Sequence, residues 1–251
     1  MIFLAMIFLG TLLGFAGAGG AGLTITMLTV GFGISIHTAL GVALAAMSFT
    51  MLSGAISHFR EGDVLLHLGV PTGLAGMVGA FIGARVSNAL AGDILSKITA
   101  LLMLASSVLL YFVLFRKDVL DAFVAKHASR AQGASFYAHA ACIGLVTGFL
   151  SGAFGIGATA FIQISLMLFF GISLYHAIGT TMLIILPISI SGGLGYLFNG
   201  HLDLIIFLQT LGGLTIGAYF GAKLTRLAPR NVLRYIVLCM PTVGGLLLLG
   251  K

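Results

Sequence analysis

The chain has 251 residues, of which 59% are hydrophobic and only 7% charged, and its mean hydropathy is +1.18. A water-soluble domain carries about 25% charged residues, so this composition leaves too little polar surface for a soluble enzyme or binding module. The net charge of +6 comes from twelve cations scattered between apolar runs, which reads as membrane topology rather than a nucleic-acid surface.

At about 20 apolar residues per crossing, the sequence predicts eight segments, near 2–30, 36–59, 64–87, 95–115, 136–170, 174–198, 202–224 and 231–250. The first opens MIFLAMIFLG, without the basic start or small-residue cleavage site of a secretory signal, and is read as part of the mature fold. It runs into GFAGAGGAG at 14–22, and the fifth segment carries a counterpart, GFLSGAFGIG, at 148–157. Each glycine weakens a helix interior by roughly 1 kcal/mol relative to alanine, so each run predicts two half-helices joined by an unwound elbow. In hydrocarbon such an elbow survives only where protein or a wet cavity pairs its free N–H and C=O groups. Broken backbone at membrane depth therefore marks a candidate ligand site.

The one polar stretch, residues 116–133, links an N-terminal membrane repeat (1–115) to a C-terminal one (134–251). The repeats are visible in the residues: GISIHTALG at 33–41 matches GISLYHAIG at 171–179, and GAFIGAR at 79–85 matches GAYFGAK at 217–223. The offset holds at 138 (Gly33 to Gly171, Gly79 to Gly217), so Ser53 and Gly54 fall on Ser191 and Gly192, and Gly62 on Gly200. Duplicated membrane units are a transporter architecture, with one half rocking against the other about a fixed site.

Charge decides how the halves face. If every segment crosses, the twelve cations divide six against six. If segments 1 and 5 are re-entrant hairpins, nine share one face and Arg85, Lys97 and Lys251 are left opposite. The second division is the asymmetry expected of cytoplasmic loops. The fold expected is therefore an all-α integral membrane protein of two inverted four-segment repeats, each opening with a glycine-broken, re-entrant or discontinuous helix. The linker would be cytoplasmic, and the protein a multi-pass component of the cell (inner) membrane.

These features in fixed order resemble the TauE/SafE family of sulfite and organosulfonate exporters: the glycine-broken first helix, the GxS turns at Gly33 and Gly171, the Ser-Gly pairs at Ser53 and Ser191, and the repeated GAxxGA[RK]. The resemblance spans nearly the whole chain and implies export of a small sulfur-containing anion such as sulfite or sulfoacetate. Alanines stand at 18, 21, 153 and 158 where the family's glycine run is fuller.

An anion site needs donors. Half-helix N-termini carry about half a positive charge and unpaired amides, here around Gly19, Gly20, Gly22, Gly155 and Gly157. Hydroxyl and amide donors nearby are Thr24, Thr26, Ser48, Thr50 and Ser53 in the first half and Gln163, Thr180, Thr181, Ser189 and Ser191 in the second. Ser53, Gln163, Thr180, Thr181 and Ser191 lead among them, because they neighbour the glycine motifs or occupy matched positions. Gly79 with Gly83, and Gly217 with Gly221, have the spacing of close helix packing. Pro187 removes a helix hydrogen bond and can bend segment 6 beside the site, and Arg60 can draw anions to the mouth.

All six acids fall at segment ends or in the linker, so a mid-span carboxylate relay is not expected. His37 and His176, just after the GIS turns, are the titratable candidates for coupling. Cys142 and Cys239 read as inert packing residues. No metal site, cofactor, nucleic acid or enzymatic constellation is expected: there is no HExxH, no phosphate loop and no mid-span aspartate pair. The partners expected are a small anionic substrate and the bilayer, with a homodimer allowed. An anion channel or uniporter on the same scaffold, or a carrier of another small organic anion, is the alternative.

Overall fold

A computed structural model describes residues 1–16, 21–116, 134–156, 158–225 and 230–250, and all regular structure among them is helical. The elements are α1 (Ile2–Ala16), α2 (Ala21–Thr26, prolonged by a π-helical turn Met27–Gly31), α3 (Ile36–Glu61), α4 (Leu66–Asn88), α5 (Gly92–Phe115), α6 (Ala134–Phe154), α7 (Thr159–Phe170), α8 (Leu174–Phe198), α9 (Leu204–Thr225) and α10 (Arg230–Leu249). Predicted segment 6 coincides with α8, and segments 2, 3, 4, 7 and 8 fall on α3, α4, α5, α9 and α10.

Matched residues punctuate the two halves. Ser35 Oγ accepts from Thr38 N (3.3 Å) at the start of α3, and Ser173 Oγ accepts from His176 N (3.4 Å) at the start of α8. Serine here supplies a partner for a first-turn amide that has none within the helix. Gly62 (φ 80°) and Gly200 (φ 75°) end the same two helices in the left-handed conformation, with Gly62 N donating to Phe59 O and Gly200 N to Leu197 O.

Glycine brings backbones together along two reciprocal seams. α6 lies on α4, where a Cβ on Gly144, Gly148 or Gly152 would strike the carbonyl of Thr72, Gly76 or Ala80 respectively. α1 lies on α9 in the same way, with Gly217 against Ile7 and Thr11, and Gly213 against Phe3 and Met6. Residue numbers rise together along both seams, so each pair is parallel. The first helix of each half thus packs on the helix of the third segment of the other.

The remaining contacts fix direction. α3 and α8 are antiparallel, since Gly41 meets Tyr196 while Gly54 meets Met182. α4 and α8 are parallel, through Gly69 on Leu183, Gly73 on Pro187 and Gly195 on Ala84. α5 and α10 are antiparallel, with Gly245 against Ala100 and Phe115 5.0 Å from Tyr235 by ring centroid. α6 and α7 double back on each other: Phe136, early in α6, is 5.0 Å from Phe170 at the end of α7, and His139 is 5.3 Å from Phe169.

Among the described residues, six helices are long and apolar enough to cross a bilayer: α3, α4, α5, α6 (from Ser135), α8 and α9. The six crossings expected from the sequence include α10 in place of α6. At 1.5 Å per residue, α6 is about 31 Å long and α7 about 18 Å, so the arms of segment 5 are unequal. In α10 the stretch Tyr235–Leu249 is a shorter apolar helix among the described residues.

Candidate functional site

The break in segment 5 is built locally. Gly155 N closes the last turn of α6 on Ser151 O (2.7 Å), and Gly155 then turns left-handed (φ 64°). Its Cα hydrogen faces Leu40 of α3 and Ile25 of α2: an added Cβ would clash with Leu40 Cδ2 and lie 2.7 Å from Ile25 Cδ1. The second half's elbow thus seats on elements of the first. Ala158 also takes positive φ (47°), a conformation that disfavours a Cβ. α7 then starts at Thr159 with no side-chain cap. Ala158 and Ala160 are buried, so the first-turn amides of α7, directed back past the elbow, begin a buried helix end.

Two buried hydroxyls of this half, on α6 and α8, stand without a partner. Most helical hydroxyls here bond back to their own helix, as Thr72 does to Leu68 O (2.8 Å) and Thr147 to Ile143 O (2.6 Å). Ser151 and Thr181, both fully buried, have no hydrogen-bond partner for their Oγ atoms. Gln163 is 7% exposed, and no hydrogen bond of its amide occurs among the described residues. Ser151 is one turn before Gly155 on the same face of α6. Met167 of α7 packs on Ala177 of α8, and one turn further along this hairpin are Gln163 and Thr181. Leaving a buried polar group unpaired costs about 1–3 kcal/mol.

The other sequence-predicted residues divide. Gly19, Gly20 and Gly157 lie outside the described residues. Gly22, on α2, packs against Met103 of α5, and Thr24 is buried beside it. Thr26 donates to Gly22 O (3.0 Å) or Gly244 O (3.1 Å), tying α2 to α10. Thr180 accepts from Leu65 N (3.0 Å) and Ser191 donates to Met77 O (2.8 Å), so both hold α8 to α4 or to its leading loop. Ser48, Thr50 and Ser189 bond to carbonyls three residues back. Ser53 is exposed on α3. Pro187 packs on Gly73 of α4 within a continuous α8. Arg60 is exposed in the last turn of α3.

Replacing Ser191 with alanine leaves the Met77 carbonyl with its own helical bond and is expected to cost about 1 kcal/mol of stability with transport retained. Thermal unfolding in detergent beside a flux assay checks both halves of this expectation.

The histidines lie at opposite ends. His176 Nδ1 is 2.8 Å from Ser173 Oγ at the start of α8. His37 sits at the start of α3 with its ring stacked on His201, centroids 5.1 Å apart. His37 Nε2 donates to Ser87 O (3.1 Å), and His201 Nε2 meets Asn88 Oδ1 at 2.6 Å. Ser87 Oγ is 2.7 Å from Tyr196 OH, which donates to Ala153 O at 3.3 Å. Sequence reasoning missed Ser87, Asn88, Tyr196, His201 and Ser151. Tyr196 carried a signal, as a tyrosine deep in an apolar span must find a partner for its hydroxyl.

The sequence matches the family profile described as "Sulfite exporter TauE/SafE" over residues 2–248. It is 43% identical over 251 residues to "Probable membrane transporter protein YdhB" of Bacillus subtilis (strain 168), covering 99% of each chain. It is 26% identical to YjnA of the same organism, another "Probable membrane transporter protein", over 99% of this chain and 98% of that one. A Xylella fastidiosa (strain 9a5c) protein with the same description is 27% identical over 83% of this chain and 78% of its own. No solved structure matches. With a profile spanning nearly every residue and a close relative of equal length, this multi-pass membrane protein belongs to the sulfite exporter TauE/SafE family of membrane transporters.

Proposed function

We propose that the protein is a secondary transporter, not an enzyme, that exports a small sulfur-containing anion such as sulfite, sulfoacetate or a related organosulfonate. It works by alternating access about a site where the two broken segments meet, and its halves are inverted. The observation that carries this reading is the buried elbow of α6 and α7. An uncapped helix start lies there against Leu40 and Ile25 of the other half, with the unpartnered Ser151 hydroxyl one turn away on α6. Inversion is supported by the antiparallel courses of the repeat-equivalent pairs α3 with α8 and α5 with α10.

The chemistry suits an oxyanion. Hydroxyl, amide and backbone N–H donors point their positive ends at a ligand rich in acceptor oxygens. Among the described residues the buried polar side chains are threonine, serine and glutamine, so it is their dipoles that the negative charge of the cargo meets. Export of an anion from a negative interior gains about 2.3 kcal/mol per charge per 100 mV, which drives efflux without a buried carboxylate.

Proteoliposomes loaded with sulfite, sulfoacetate or taurine provide the test. Efflux above protein-free controls, accelerated by an inside-negative potential, is expected. Permeability equal to lipid alone for every sulfur oxyanion tried would end the reading.

A further inference from the structure

We propose that the His37–His201 pair is a proton-operated latch on the α6 elbow, and that Ser87 and Tyr196 are positioning residues that carry its state inward. The chain of contacts is continuous. His37 holds the Ser87 carbonyl, Ser87 Oγ meets the Tyr196 hydroxyl, and that hydroxyl holds the carbonyl of Ala153, two residues before Gly155. His201, stacked on His37, is tied to the next residue of α4, Asn88. Four elements are thus joined at one end of the bundle: α3, the end of α4, the α8–α9 loop and the last turn of α6.

Both imidazoles already donate through Nε2 to an oxygen, so an added proton goes to Nδ1 and leaves those bonds in place. What changes is charge. Two imidazolium rings about 5 Å apart repel, and one of them sits on the positive N-terminal end of α3. The charged groups on the surrounding elements do not relieve this. Arg85 of α4 lies over the Phe81 ring, Asp203 spends Oδ1 on the amides of Ile205 and Ile206 at the start of α9, and Asp93 and Lys97 are exposed on α5. Among the described residues no carboxylate pairs with either ring.

Burial and the neighbouring His37 both hold the His201 imidazole below its ordinary titration range. The neutral form is therefore the one that fits the assembled network. The latch is closed above about pH 6.5 and gives way as pH falls below it.

The opposite end of α3 is built differently. His58 holds the position of Tyr196 in the first half and Asp63 that of His201, by the same offset of 138. His58 Nδ1 lies 3.6 Å from Asp63 Oδ2 and 3.7 Å from Glu61 Oε2, so carboxylates face this ring where a second imidazole faces His37. Arg60 is exposed beside it, and His67 is occupied by stacking on Phe136. Acid thus loosens the end of the bundle that carries the histidine pair. This deepens the proposed transport reading and takes its direction from it.

Hydrogen–deuterium exchange of the lipid-nanodisc protein at pD 5.5 and 7.5, corrected for intrinsic exchange rates, tests the latch without any cargo. Peptides covering residues 150–156 and 199–203 should exchange about tenfold faster in acid. The His37→Gln/His201→Gln double variant should lose the response in both. Tyr196→Phe, or the milder Ser87→Ala, should keep it at 199–203 and lose it at 150–156, which a merely structural role would not produce. Equal corrected exchange at both pD values, or an acid response that persists in the double variant, overturns the proposal. A latch that responds in a protein passing no sulfur oxyanion would overturn the transport reading instead.

Discussion

Alanine at Gly79, Gly148 or Gly152 is expected to cost about 3 kcal/mol or more and to lower the unfolding temperature in detergent by roughly 10 °C. At each site the added methyl meets backbone of the partner helix: the Leu145 carbonyl for Gly79, the Gly76 carbonyl for Gly148 and the Ala80 carbonyl for Gly152. A carbonyl in a helix cannot rotate away, so α4 and α6 must separate and the dispersion contacts along the seam are lost. Gly217→Ala should behave alike on the reciprocal seam, against the Ile7 carbonyl. Gly92→Ala is the control, because its nearest neighbour is Ile36 Cγ2 at 3.5 Å, an ordinary contact. Equal tolerance of Gly92→Ala and Gly152→Ala would refute the close approach of the helices.

The second large effect separates function from stability. Gln163→Ala and Thr181→Val should each lower anion flux tenfold or more while leaving the unfolding temperature unchanged or slightly raised. A hydroxyl or amide buried without a partner contributes nothing favourable to folding, and its removal relieves a desolvation cost of about 1–3 kcal/mol. Thr180→Val, one residue away, should do the reverse: the Leu65 amide loses its acceptor, and stability falls by about 1–3 kcal/mol. Flux assays on reconstituted variants, paired with thermal unfolding, give both readings. If Thr181→Val destabilises as much as Thr180→Val, the unpartnered hydroxyl is not held for a ligand.

Much of the fold is legible because helix boundaries are chemically local. Ser35 and Ser173 before apolar runs, and Gly62 and Gly200 after them, mark the ends of α3 and α8 in the sequence itself. The repeat is legible for the same reason, as equivalent seams and caps need equivalent residues. The unequal arms of segment 5 were not readable, because one apolar stretch of 136–170 gives no sign of where left-handed backbone divides it. Ala158 hides part of that division, taking a conformation its side chain disfavours.

The site was legible by residue type and less so by placement. Gln163 and Thr181 are both buried, but Ser191 and Thr180 spend their oxygens on α4 and its loop, since one face of α8 must hold a neighbouring helix. Ser53, the partner of Ser191 by offset, is exposed because the reciprocal helix crosses α3 differently. The Ser87–Tyr196 bond joins residues 109 positions apart, and no local pattern announces such a pair.

Inversion of the halves is tested most directly by where two short connections emerge. Single cysteines at Glu61 and Tyr175, both exposed, would be introduced after Cys142 and Cys239 are changed to serine, and labelled in intact cells with a membrane-impermeant maleimide. If segment 5 enters and leaves on one face, both positions share the face of the linker, and both stay unlabelled until the membrane is permeabilised. Labelling of one position from outside and the other only from inside would mean that segment 5 crosses, and would contradict the account.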